Sequence, residues 1–143
     1  MHMYPPHPRD PAIFGVVQDA FAEALGLDLE EVEYDSKIID DLGAESLDLL
    51  DIVFRLERSF DIKIPRGGIE SAAKDGLAED EAYEVNGVLT ALGLEKLSEA
   101  MPEVPREEFR EGLKVAEVPL MFRVATFCRL VCHLLEEKGR QSA

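Results

Sequence analysis

Apolar residues recur at helical spacing along most of the chain. Ile13, Val16, Val17, Ala20, Phe21, Ala24 and Leu25 fall on one face of a first helix. Asp10 suits its N-cap, Pro11 its first helical position and Gly26 its C-terminal cap. A second helix is expected from about Ser46 to Phe60, with Leu49, Leu50, Val53, Leu56 and Phe60 along one face. Ile52 and Phe54 widen that face, while Asp48, Asp51, Arg55 and Arg58 fall mainly opposite. Between the two helices Val32, Ile38, Ile39 and Leu42 show no period, as in a long loop pegged onto a bundle, with a short turn at 28–31. Asp61-Ile62-Lys63-Ile64-Pro65 is read as an extended clip, since Pro65 stops a helix there.

The pattern is less regular beyond Pro65. Arg66-Gly67-Gly68 reads as a joint, and Asn86-Gly87 is the strongest short-range sign of a β-hairpin. Thr90 is placed to cap a helix carrying Leu92, Leu94, Leu97 and Met101, stopped by Pro102, and Pro105 to Leu113 suggests a short helical piece. A last helix starts between Pro119 and Val124 and runs to about Lys138 on Phe122, Val124, Phe127, Leu130, Val131, Leu134 and Leu135. The expected fold is all-α: a small antiparallel helical bundle with a large insert at about 66–113 before the last helix, containing a small β-hairpin. Residues 1–9 read as a flexible leader and 10–143 as a single domain.

Charge narrows the function. The net charge is −15, and between Asp28 and Asp51 the acids are opposed by Lys37 alone. Such a surface repels nucleic acid and anionic lipid and favours partners with basic patches. No apolar run approaches the roughly 20 residues of a membrane span, and the N-terminus lacks a signal peptide's apolar stretch, so a cytoplasmic monomer is expected. Cys128 and Cys132 sit in an apolar helical pattern with no second cluster to complete a metal site, and are read as buried thiols; no metal is expected. His2, His7 and His133 stand in no catalytic motif, and the acidic loop lacks the ligand spacing and central glycine of a calcium loop.

The chemistry concentrates at Asp40-Asp41-Leu42-Gly43-Ala44-Glu45-Ser46-Leu47-Asp48. Ser46 has three readings. It is a helix N-cap, a catalytic nucleophile, or a hydroxyl modified by another enzyme. The second lacks a general base and the G-x-S-x-G elbow. At the entry of a helix, free N–H groups and the dipole favour a phosphate, Gly43 allows a tight turn and close approach, and Leu47 offers an apolar contact.

This stretch resembles the D-L-G-x-[D/E]-S-L signature of acyl carrier proteins, with the likeness running from about Val32 through Pro65 and the first and last helices fitting around it. The resemblance implies a non-catalytic carrier with 4′-phosphopantetheine attached to Ser46 by a phosphopantetheinyl transferase, its thiol holding acyl groups for enzymes of fatty acid, lipid or secondary-metabolite synthesis. It implies that Asp41, Asp48, Asp51 and Glu57 dock basic patches on acyl-transferring or acyl-modifying enzymes. The family commonly has Asp where Glu45 stands, and Arg55 and Arg58 interrupt the acidic stripe of the second helix; both departures point to a dedicated set of partners. A peptidyl or aryl carrier and an unmodified adaptor that only binds partners are the alternatives.

Overall fold

The computed structural model describes residues 11–64, 73–75 and 77–142, apart from the side chains of Ser46 and of residues 140–142. The expected leader, the Asp10 cap and the 66–68 joint lie outside them. The chain divides into two compact units, one of residues 1–64 with 122–143 and one of residues 65–121.

In the first unit, helix α1 spans Pro11–Leu25 and α2 spans Ser46–Phe60. Ile13, Val17, Ala20 and Phe21 of α1 turn inward as their spacing predicts, and Gly26 ends the helix at φ +69°. Val16 lies on the rim of that face and is exposed. On α2 the buried centre is Ile52 and Leu56, flanked by half-buried Leu49, Val53 and Phe60. Leu50 and Phe54, expected on the core face, are exposed instead. At 100° per residue they stand on the far side of the helix from Ile52 and Leu56.

The last helix of this unit runs Val124–Ser142, past the expected end near Lys138. Val124, Phe127, Cys128 and Val131 are buried on it, and Phe127 meets Phe21 edge-on at 5.6 Å between ring centres. Full burial of a side chain such as Phe21 contributes about 1.5–3 kcal/mol. The loop between α1 and α2 is pegged by Val32 and Ile38, both buried, with a 3-10 turn at Leu29–Glu31. It is also laced to the start of the last helix. The Ile38 N–H donates to the Phe122 carbonyl at 3.0 Å, Val124 to Ser36 at 3.0 Å and Ala125 to Tyr34 at 2.8 Å.

The second unit holds strands β1 (Glu84–Val85) and β2 (Val88–Leu89), paired antiparallel through Asn86 and Gly87 at φ +53° and +84°. Positive φ at both turn residues is what the Asn-Gly pair supplies. Helix α3 spans Ala91–Ala100, and the Thr90 side chain accepts its Gly93 N–H at 2.9 Å, the expected cap. The piece after Pro105 is a 3-10 turn at Arg106–Glu108, and an unforeseen one with Pro119 inside spans Val115–Met121. Tyr83, Leu89, Leu97, Met101, Val104 and Val118 are buried in this unit. The final helix of the chain, Val124–Ser142, is α4. The architecture is thus the expected helical one with a two-stranded hairpin. Among the described residues no helix is long and apolar enough to cross a membrane.

Candidate functional site

The loop tightens into a hydrogen-bonded turn just before α2. The Lys37 carbonyl accepts the N–H groups of Asp41 and Leu42 at 3.0 and 3.1 Å, while the Lys37 N–H donates to Asp41 Oδ2 at 2.8 Å. Gly43 leaves the turn at φ +74°, with its N–H donating to Ile39 O at 3.1 Å. A side chain there would meet nothing within 4 Å, so the backbone angle, and not crowding, selects glycine. Buried Ala44 follows, and Glu45 is extended at φ −109°, ψ 173°.

Ser46 is then the first helical residue, not the cap. The cap position belongs to Glu45, whose N–H donates to Asp48 Oδ2 at 2.9 Å as one half of a capping box. Sequence preference favours serine as the cap, because serine caps well and glutamate rarely does. The backbone decides otherwise: the left-handed Gly43 and extended Glu45 bring the chain into the helix one residue earlier. The start of a helix retains backbone N–H groups without intrahelical partners and the positive end of the dipole, both suited to a phosphate beside Ser46.

Around this point the surface is apolar and acidic. Leu47 is 79% exposed, and Leu50 and Phe54 continue an exposed row along α2 at 40% and 52%. Sequence reading singled out Leu47 and missed the other two; their place opposite Ile52 on the helical wheel was the available sign. The four acids expected to face partners all accept bonds within the chain. Asp41 accepts from Lys37 and Asp48 from Glu45, Asp51 Oδ1 meets Arg55 Nε at 3.1 Å, and Glu57 Oε2 accepts the Ile64 N–H at 2.8 Å. Arg55 Nη1 also reaches Glu23 Oε2 at 2.9 Å. A carboxylate has further acceptor positions, so each keeps its charge and can still meet a partner.

Other candidate chemistry is quiet. Cys128 and Cys132 are free and buried, and burial first, then the neighbouring Cys132, pushes the Cys128 thiol up to about 12. His133 is exposed and lies 3.1 Å from Glu137. Among the described residues no group of His, Cys, Asp and Glu is arranged to hold a metal.

The arrangement fits covalent attachment of a phosphate-linked group. The helix start is capped by its neighbours, the space above Gly43 is open, and an apolar side chain stands exposed next to the serine. Residues 15–69 match the family described as the phosphopantetheine attachment site. The chain is 41% identical over 64 residues to an acyl carrier protein of Clostridium acetobutylicum, covering 45% of this chain and 83% of that one. It is 43% identical over 65 residues to an acyl carrier protein of Sulfurovum sp., covering 46% and 87%. The acyl carrier protein AcpXL of Rhizobium meliloti is 42% identical over 77 residues, covering 54% and 81%. These matches span most of each relative, and they establish that this chain belongs to the acyl carrier protein family, whose members are carriers and not catalysts.

Proposed function

We propose that Ser46 carries the 4′-phosphopantetheine arm and that the protein is a cytoplasmic carrier for a dedicated lipid or secondary-metabolite pathway. The observation that carries the assignment is the Glu45–Asp48 bond, which caps α2 without calling on the serine. The arm supplies a terminal thiol on which an acyl group is held as a thioester. The protein's own residues do the rest. Gly43 supplies the left-handed turn that leads the chain into α2, and the first turn of α2 holds the phosphate in a favourable field. Leu47, Leu50 and Phe54 offer apolar contact to a modifying or acyl-transferring enzyme, and Glu45 stands exposed beside them. Asp41, Asp48, Asp51 and Glu57 steer basic partners toward that row, an attraction that weakens with salt. Arg55 holds Asp51 and Glu23 together, which lowers the free negative charge at mid-helix and favours a narrower set of partners.

The two cysteines give a clean background for the test. After incubation with coenzyme A, Mg²⁺ and a phosphopantetheinyl transferase, one fast-reacting thiol should appear under native conditions. Its absence, or its appearance in Ser46→Ala as well, rules out the assignment.

A further inference from the structure

Asn86 is the chain's single asparagine, and glycine follows it. Both are exposed at the tip of the β1–β2 hairpin, each at positive φ. Nothing lies within 4 Å of the place a side chain on Gly87 would occupy, so the tip is open to water. The peptide bond between the two residues joins the partners of an intramolecular reaction. The Gly87 nitrogen is a nucleophile for the Asn86 side-chain amide carbon, and glycine has no side chain to crowd the attack.

Two features of the hairpin hold that reaction back. The Gly87 N–H donates to Glu84 Oε2 at 2.6 Å. Attack requires the nitrogen to give up this proton, and a carboxylate beside it disfavours the anion that results. The ring that attack would close also fixes the Asn86–Gly87 peptide in an orientation that a two-residue turn does not permit. The turn is anchored from its far side as well: Leu89 N–H donates to Leu113 O, and Val115 N–H to Gly87 O, both at 2.9 Å.

We propose that Asn86 is a site of spontaneous covalent modification, deamidation through a cyclic imide, and that Glu84 and the turn keep it slow. When the tip opens, a bond forms from Gly87 N to Asn86 Cγ and the Cγ–Nδ2 bond breaks. Ammonia leaves with the proton from the Gly87 nitrogen. Water then opens the imide at one carbonyl or the other, giving aspartate or isoaspartate. Both products place a second carboxylate beside Glu84, where like charges repel. Isoaspartate in addition threads the backbone through the former side chain, one methylene longer, which the pairing of Val85 with Val88 cannot absorb. The change runs one way, so the second unit accumulates a record of its own opening. It does not depend on Ser46.

The test incubates the full chain at mildly alkaline pH, native and in urea, and maps the peptide that contains residue 86. A gain of about 1 Da marks loss of the amide, and methyl transfer by an isoaspartyl methyltransferase marks the imide route. Both should appear at Asn86, at least about tenfold faster in urea than in the native chain. Glu84→Ala should speed the native reaction about tenfold. Glu84→Gln keeps an acceptor for the Gly87 N–H and drops the charge. Its rate should fall between the two, with the Leu89 and Val115 amide resonances kept in place. Asn86→Gln should remove the signal. The proposal is overturned if the unfolded chain forms no isoaspartate at Asn86 or if the native chain reacts as fast as the unfolded one. It is also overturned if Glu84→Gln reacts no faster than wild type.

Discussion

Asp48 Oδ2 accepts the Glu45 backbone N–H at 2.9 Å, one turn into the helix that Ser46 begins. A residue expected to work only as a docking charge is therefore also part of the helix start. The two roles separate by substitution. Asp48→Ala removes the acceptor and should cost about 1 kcal/mol in urea unfolding. Asp48→Asn keeps an acceptor oxygen but loses the charge. It should hold most of the stability while slowing modification by a phosphopantetheinyl transferase at low ionic strength, with the difference shrinking as salt rises. Equal rates for Asp48→Asn and wild type at low salt would remove the docking role.

Gly43 sits at φ +74° with open space around the missing side chain. Gly43→Ala should cost about 1–2 kcal/mol through backbone strain alone, and Gly43→Asn less, because asparagine tolerates the left-handed region. Urea midpoints of the two variants check the order. An alanine variant as stable as wild type would show that the turn before Ser46 can reshape freely.

What the sequence could reveal here depended on how local each cause was. The bounds of α2, the Asn86-Gly87 hairpin and the Thr90 cap follow from neighbours a few residues apart, and all were legible. The carrier signature around Ser46 was legible for the same reason. Leu50 and Phe54 were misplaced because α2 carries more apolar residues than one face can hold. Periodicity does not say which of them the other helices cover. The backbone bonds from Ile38 to Phe122 and from Ala125 to Tyr34 join segments far apart in sequence and leave no mark on composition. Asp51 and Arg55 stand at the i,i+4 spacing of a helical ion pair, but the further reach of Arg55 to Glu23, 32 residues away, leaves no mark in the sequence, although it changes how much free acid the helix presents.

Asp61 ends α2 in the left-handed region at φ 54°, and Lys138 Nζ donates to both its carbonyl and its carboxylate at 2.9 Å. The hydrogen bond from Lys138, and then its charge, hold the Asp61 carboxyl below the ordinary value of 3.8. A lowered folded-state pKa adds stability that is present above 3.8 and lost as pH falls through the lower value. Asp61→Asn should therefore lower stability near neutrality and flatten its fall in acid, so that variant and wild type converge as pH drops below that point. Unfolding midpoints measured from neutrality downward test this, and an unchanged acid limb would contradict it.

Cys128 is fully buried, and its thiol is raised to about 12, so it stays protonated at working pH. Native protein should react only slowly with a thiol reagent at pH 8 and show both cysteines after unfolding. Cys128→Ser should cost about 1–3 kcal/mol, since a hydroxyl there needs a partner that the apolar surroundings do not offer. Rapid labelling of the native, unmodified protein would contradict this account of the core.

The central claim is tested most directly by the intact mass of wild type and Ser46→Ala after treatment with coenzyme A, Mg²⁺ and a phosphopantetheinyl transferase. The account predicts a gain of one phosphopantetheinyl group on wild type and none on the variant. A folded wild type that gains nothing would contradict it and leave the protein as an adaptor that only binds partners.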